Sequence, residues 1–141
     1  MANLITKAGA DRLLTVDLHA DQIQGFYNIP VDHLVGYPLF AKYFVEHKNK
    51  YKNLAIVAPD IGAVKKATKM ASLLNTSLVI IDKERQCHNE SHVFCVIGEV
   101  KDKTAILVDD MIDTGGTIAN AAQIIKEKGA KRNYLCYSRT A

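Results

Sequence analysis

Apolar positions along the chain fall into short blocks of two kinds. Leu13 to Val16, Leu54 to Val57, Leu78 to Ile81, Val93 to Val96, Thr104 to Val108 and Asn133 to Tyr137 are brief apolar or β-branched runs, the pattern of strands. Between them, Pro38 to His47, Gly62 to Leu74 and Thr117 to Lys128 repeat apolar residues at helical spacing; in the last, Ile118, Ala121, Ala122, Ile124 and Ile125 share one face. Strands alternating with helices imply βαβ units, and hence an α/β fold whose mostly parallel sheet is flanked by helices. No internal repeat, low-complexity tract or linker breaks the alternation, so one domain over residues 1–141 is expected.

Composition adds bounds rather than a function. A chain of 141 residues with 48% hydrophobic content can bury a real core. Its 18 basic and 15 acidic residues leave a net charge of +3, too mild to argue for nucleic acid and only weakly suited to polyanionic metabolites. Cys87, Cys95 and Cys136 are an odd set without paired spacing, which points to reduced thiols rather than a disulfide framework. No apolar run is long enough to span a bilayer and no secretory leader is visible, so the expectation is a cytoplasmic protein without membrane contact.

Chemistry concentrates in residues 104–117, TAILVDDMIDTGGT. A strand ends at Asp109 and Asp110, Asp113 follows, and Thr114-Gly115-Gly116-Thr117 opens onto a helix. Such a loop lies at the carboxyl end of a strand, where ligands bind in parallel α/β sheets. Two glycines let the backbone turn several N–H groups toward one point, the Thr114 and Thr117 hydroxyls add donors, and the helix start adds partial positive charge. A phosphate fits there. The three acids would repel it, so they are read as acceptors for sugar hydroxyls or as oxygen ligands for a divalent metal. An ordinary helix cap would explain one acid beside the turn, but not three.

This loop resembles the phosphoribosyl diphosphate loop of the phosphoribosyltransferase superfamily. Three further stretches narrow the resemblance to ribose-phosphate diphosphokinases, also called phosphoribosyl diphosphate synthetases: TVDLHADQIQGFYNIPVDHL from Thr15, APDIGAVKKA from Ala58 and IIDKER from Ile80. The resemblance implies a phosphoribosyltransferase-like fold and the second domain of such a synthetase, with the first domain absent and the family's chain continuing past the last residues here. It implies transfer of diphosphate from ATP to ribose 5-phosphate with Mg2+. Thr114, Gly115, Gly116 and Thr117 would take the 5-phosphate, and Asp109, Asp110 and Asp113 the ribose end. His19 would meet ATP and its magnesium, Asp60 the second metal or the ribose 5-phosphate end, and Lys83 and Arg85 would close over the transferred phosphates. Partners implied are a homo-oligomer or full-length synthetase; the alternative is a non-catalytic regulatory or ribose-phosphate-binding module of the synthetase-associated kind.

Other residues get plainer readings. Asp17 and His19, two apart beyond the first strand, face one side if extended geometry persists. Asp82 to His92 is polar and aperiodic, a mobile loop or solvated hairpin. Cys87, His88, His92 and Cys95 can all bind zinc, but their spacing lacks a Cys-x-x-Cys knuckle and disfavours it. His33, His47, Lys65 and Lys66 are read as surface.

Overall fold

The structure, a computed structural model, describes residues 1–84 and 93–140. They form two compact units, Met1–Gly36 and Tyr37–Ala141.

The larger unit is built on strands β3 (Leu54–Ala58), β4 (Ser77–Glu84), β5 (Val93–Ile97), β6 (Thr104–Val108) and β8 (Arg132–Cys136), in the order β5-β4-β3-β6-β8. All neighbours are parallel except β4 and β5. Helices α2 (Tyr37–Glu46), α3 (Val64–Leu74) and α4 (Gly116–Glu127) complete it, with a short β7 (Met111–Ile112) paired to β9 (Arg139–Thr140). β3 is apolar throughout, and β6 from Ala105 onward, because both faces are covered. Ile56, Ala58, Ile106 and Val108 pack with Ala67, Met70 and Ala71 of α3 and Phe44 of α2. Ala55, Val57, Ala105 and Leu107 pack with Ala121 and Ile125 of α4. This is the α/β architecture read from the sequence. One antiparallel edge strand, β5 on β4, leaves the sheet mostly parallel as expected; which strand runs against the others is not carried by a single apolar run.

Two backbone details close the elements that lead to the loops. Asn75 takes left-handed dihedrals after α3 (φ 48°, ψ 52°), and Thr76 N–H reaches back to Ala71 O at 3.0 Å, a Schellman-type stop made without glycine. Gly98 ends β5 at φ +103°, where a Cβ would stand 2.7 Å from Leu78 O.

The smaller unit holds α1 (Ala2–Lys7), β1 (Leu13–Val16), a 3-10 turn (Asp21–Phe26) and β2 (Val31–Leu34). β1 does not join the five-stranded sheet; it pairs in parallel with β2 alone. Extended geometry stops at Asp17, which is buried at φ +47°. Its N–H bonds Leu34 O at 2.9 Å and its Oδ2 accepts the Gly36 N–H at 3.1 Å. Asp17 is therefore a clamp across the ends of β1 and β2, and the expectation that it and His19 continue on one extended face fails. His33 is also not surface: its side chain is 8% exposed, and its Nε2 accepts the Leu18 N–H at 3.0 Å.

Candidate functional site

The candidate site begins where β6 ends. Asp109 N–H bonds Cys136 O at 3.0 Å, Ser138 Oγ donates to Asp110 O at 3.0 Å, and β7 runs parallel to β9, so the loop is tied to the exit of β8. Gly115 then adopts φ +78°, ψ −3°, and α4 starts immediately after it. A Cβ at Gly115 would meet nothing within 4 Å, so glycine serves the dihedral here and leaves open space over the turn. No side chain caps α4. The nearest approach is Thr114 Oγ1, 3.5 Å from Gly116 N, at the limit of a hydrogen bond. Asp113 therefore does not act as the helix cap, and the start of α4 keeps the donor-rich end that attracts anions. Asp113, Thr114, Gly116 and Thr117 are all exposed.

The acids divide by environment. Asp109 is half-buried, and burial raises its carboxyl above the usual range; the charges of Asp60 and Asp110 push the same way, while the hydrogen bond from Asp110 N–H, 2.8 Å, opposes them. Asp110 is buried, and Lys66 Nζ of α3 lies 3.1 Å from its Oδ2. Lys66 is half-buried and is not the surface residue expected. Asp60 leaves β3 exposed and accepts the Ala63 N–H at 2.9 Å; a Cβ on Gly62 would come within 3.2 Å of that oxygen. Asp60 thus does serve the start of α3 through Oδ1. Asp60, Thr117, Pro59, Ile81, Phe94 and Asn120 line a cleft of about 250 Å³ beside the loop.

Within this unit the structure brings together Asp60, Lys66, Asp109, Asp110 and Thr117, and sets Asp113 to Gly116 on the adjoining turn. Lys83 lies in β4, in register with Phe94 of β5. Arg85 falls outside the described residues, as do Cys87, His88 and His92 of the zinc option. His19 belongs to the smaller unit, exposed on the bend before the 3-10 turn. Among the described residues no three His, Cys, Asp or Glu side chains converge as a metal-binding set. Phe94 and Asn120 carry no site reading from the sequence, and Lys66 is read there as surface. Lys66 had a readable signal: it sits three after Ala63 and four before Met70, both buried, whereas Lys65 falls on the exposed face.

A model of the phosphoribosyl transferase domain matches residues 38–137. The chain belongs to that family. The phosphoribosyl transferase domain thus coincides with the larger unit and includes the loop after β6. Among curated relatives, the ribose-phosphate pyrophosphokinase of Clostridium perfringens is 56% identical over 137 residues, covering 96% of this chain and 43% of the relative. That of Fusobacterium nucleatum is 52% identical over 136 residues, with the same coverage. The chain spans less than half the length of these relatives. Among solved structures, phosphoribosylpyrophosphate synthetase from Mycobacterium smegmatis aligns with a TM-score of 0.86 at 45% identity, covering 99% of this chain and 44% of that one. A purine phosphoribosyltransferase from Pyrococcus horikoshii aligns at 0.59 with 19% identity over 94% of this chain and 87% of its own, a likeness of fold. No helix of the described residues is long and apolar enough to cross a membrane.

Proposed function

We propose that this chain carries the ribose 5-phosphate side of a ribose-phosphate diphosphokinase, corresponding to the second domain of such enzymes. The reaction moves the terminal diphosphate of ATP to the anomeric hydroxyl of ribose 5-phosphate, giving phosphoribosyl diphosphate for nucleotide synthesis and AMP. The observation that carries the reading is the uncapped start of α4 behind a left-handed Gly115, with carboxylates on its β6 side. The relatives' name and their identity above 50% support the same reaction.

On this reading the Thr114 to Thr117 turn binds the 5-phosphate through backbone N–H groups and hydroxyls. Asp109, Asp110 and Asp113 accept hydrogen bonds from the ribose hydroxyls and orient the anomeric oxygen for in-line attack on the β-phosphorus. His19 serves the ATP end. Lys83 and Arg85 bring positive charge to the phosphoryl oxygens as the transition state forms. No covalent intermediate is required.

The donor set suits magnesium of the substrate-borne kind. Asp60 offers an exposed hard oxygen, and among the described residues no set of three His, Cys, Asp or Glu side chains surrounds it, so an ion there would depend on phosphate and water for its other ligands. Asp60 would hold a metal at the ribose 5-phosphate end and His19 the magnesium that arrives with ATP; when bound, the metal would supply neutralisation of the polyphosphate.

Calorimetric titration with ribose 5-phosphate tests the reading. Asp109→Ala and Asp113→Ala should each weaken binding by about tenfold or more, the worth of a hydrogen bond to a charged group. A wild-type chain that ignores ribose 5-phosphate, or variants that bind it as the wild type does, would overturn the assignment.

A further inference from the structure

We infer that Lys66 is a positioning residue for sugar recognition: it holds the Asp110 carboxylate in place from α3, so that hydroxyl recognition depends on a side chain outside the loop. The inference rests on the ribose 5-phosphate reading above and deepens it.

The geometry is specific. Lys66 Nζ stands 3.1 Å from Asp110 Oδ2, with the two side chains only 26% and 11% exposed. A pair this shielded has a fixed geometry and is little screened by salt, unlike an exposed ion pair. Asp110 needs such a partner. Its neighbour Asp109 is half-buried, and Asp60 is close enough for its charge to act on Asp109, so three carboxylates crowd one end of the sheet. Without the Lys66 cation, the buried Asp110 charge would face its acidic neighbours without that opposite charge from α3, and the carboxylate would shift from the position the pair gives it. The cation comes from α3, which is set by its own buried face of Ala67, Met70 and Ala71 against β3 and β6. The main chain on the other side of the pair is held too, since Ser138 Oγ donates to Asp110 O at 3.0 Å. Asp110 is thus braced from α3 and from the bend after β8, while the turn of residues 114–117 is formed by backbone and owes nothing to Lys66.

That division gives the test. Wild-type, Lys66→Met and Lys66→Arg chains are titrated with ribose 5-phosphate and with methyl phosphate, which offers the phosphate without sugar hydroxyls. Wild type should prefer ribose 5-phosphate. In Lys66→Met the preference should shrink by about tenfold, the loss expected for a charge-assisted hydrogen bond, with methyl phosphate affinity retained; Lys66→Arg should restore most of it. A retained methyl phosphate site also shows that the variant is folded. Equal weakening toward both ligands would make Lys66 a general anion attractor and overturn the inference, as would an unchanged preference. If the wild type shows no preference at all, the ribose 5-phosphate reading itself fails, a result distinct from either.

Discussion

Replacing Gly115 separates what the phosphate turn costs in stability from what it does for a ligand. The residue sits at φ +78°, ψ −3°, and a methyl group there would touch nothing within 4 Å. Gly115→Ala therefore meets backbone strain alone, about 1 kcal/mol for an L residue held in left-handed geometry. For a chain of this length that lowers Tm by roughly 4 °C. Gly98→Ala is the control. Its φ is +103° and its new Cβ would stand 2.7 Å from Leu78 O, a backbone atom that cannot swing aside, so strain and overpacking add to about 2–4 kcal/mol. In ligand binding the order should reverse. The Gly115 methyl projects into the open space over the helix start, so phosphate and ribose 5-phosphate affinity should fall sharply in Gly115→Ala and stay near wild type in Gly98→Ala at temperatures where both are folded. Gly115→Asn tolerates the dihedral but still fills the space, and should regain Tm without regaining affinity. Thermal melts and titrations on the four proteins check this. Should Gly115→Ala lose more stability than Gly98→Ala, or keep full phosphate affinity, the turn is not the anion cradle described.

Other consequences are narrower. Asp109, raised mainly by burial, binds its proton more tightly folded than unfolded, so its ionisation subtracts stability as pH rises from the ordinary Asp range through its elevated folded value. Asp109→Asn should thus have a higher urea midpoint than wild type at about pH 7.5, and the two should converge near pH 3, below both values; a variant weaker at neutral pH would contradict the sign. His33→Phe strands the Leu18 N–H that Nε2 accepts at 3.0 Å and should cost about 1 kcal/mol, whereas His33→Asn retains an acceptor. Faster exchange of the Leu18 amide in the Phe variant only is the readout, and equal exchange in all three would remove the bond from the account. Burial pushes the Cys136 thiol up to about 11, so near pH 8 it should resist a thiol reagent that labels the exposed Cys95. Rapid native labelling of Cys136, located by peptide mapping, would show the β8 end to be open.

What the chain discloses of its own fold depends on how each element is buried. β6 is buried on both faces, so after the β-branched Thr104 its residues form an uninterrupted apolar run, and the strand has the limits read from the sequence, Thr104–Val108. β2 has no such mark. Val31-Asp32-His33-Leu34 is only partly covered and pairs with a single strand, so its apolar residues lie at its ends and the run is lost among polar neighbours. α1 contributes no buried residue, and a six-residue helix without an apolar stripe has no period to detect. Asn75 shows a third kind of loss: the stop of α3 is a left-handed asparagine rather than the glycine that marks most such stops, and Asn53 and Asp102, elsewhere in the chain, also take positive φ without announcing it.

The site was legible to the extent that its chemistry is local. The turn proposed for phosphate is made by consecutive residues, and Thr-Gly-Gly-Thr after an apolar run carries both the backbone freedom and the helix start that an anion site would use. Pairings across elements are different. Nothing adjacent to Lys66 in the chain indicates Asp110, 44 positions later, because the contact arises only when α3 packs against β3 and β3 pairs with β6. The same holds for His33, whose ring is occupied by a backbone N–H on the far side of a parallel crossover. Helical phase could have narrowed the search, since Lys66 shares its flank with Ala63 and Met70 while Lys65 does not. A lysine beside a buried stripe has to find an anion or carry its charge out to water along its stem. Which anion it finds is set by strand order, and strand order is the one property of this sheet that no window of sequence contains.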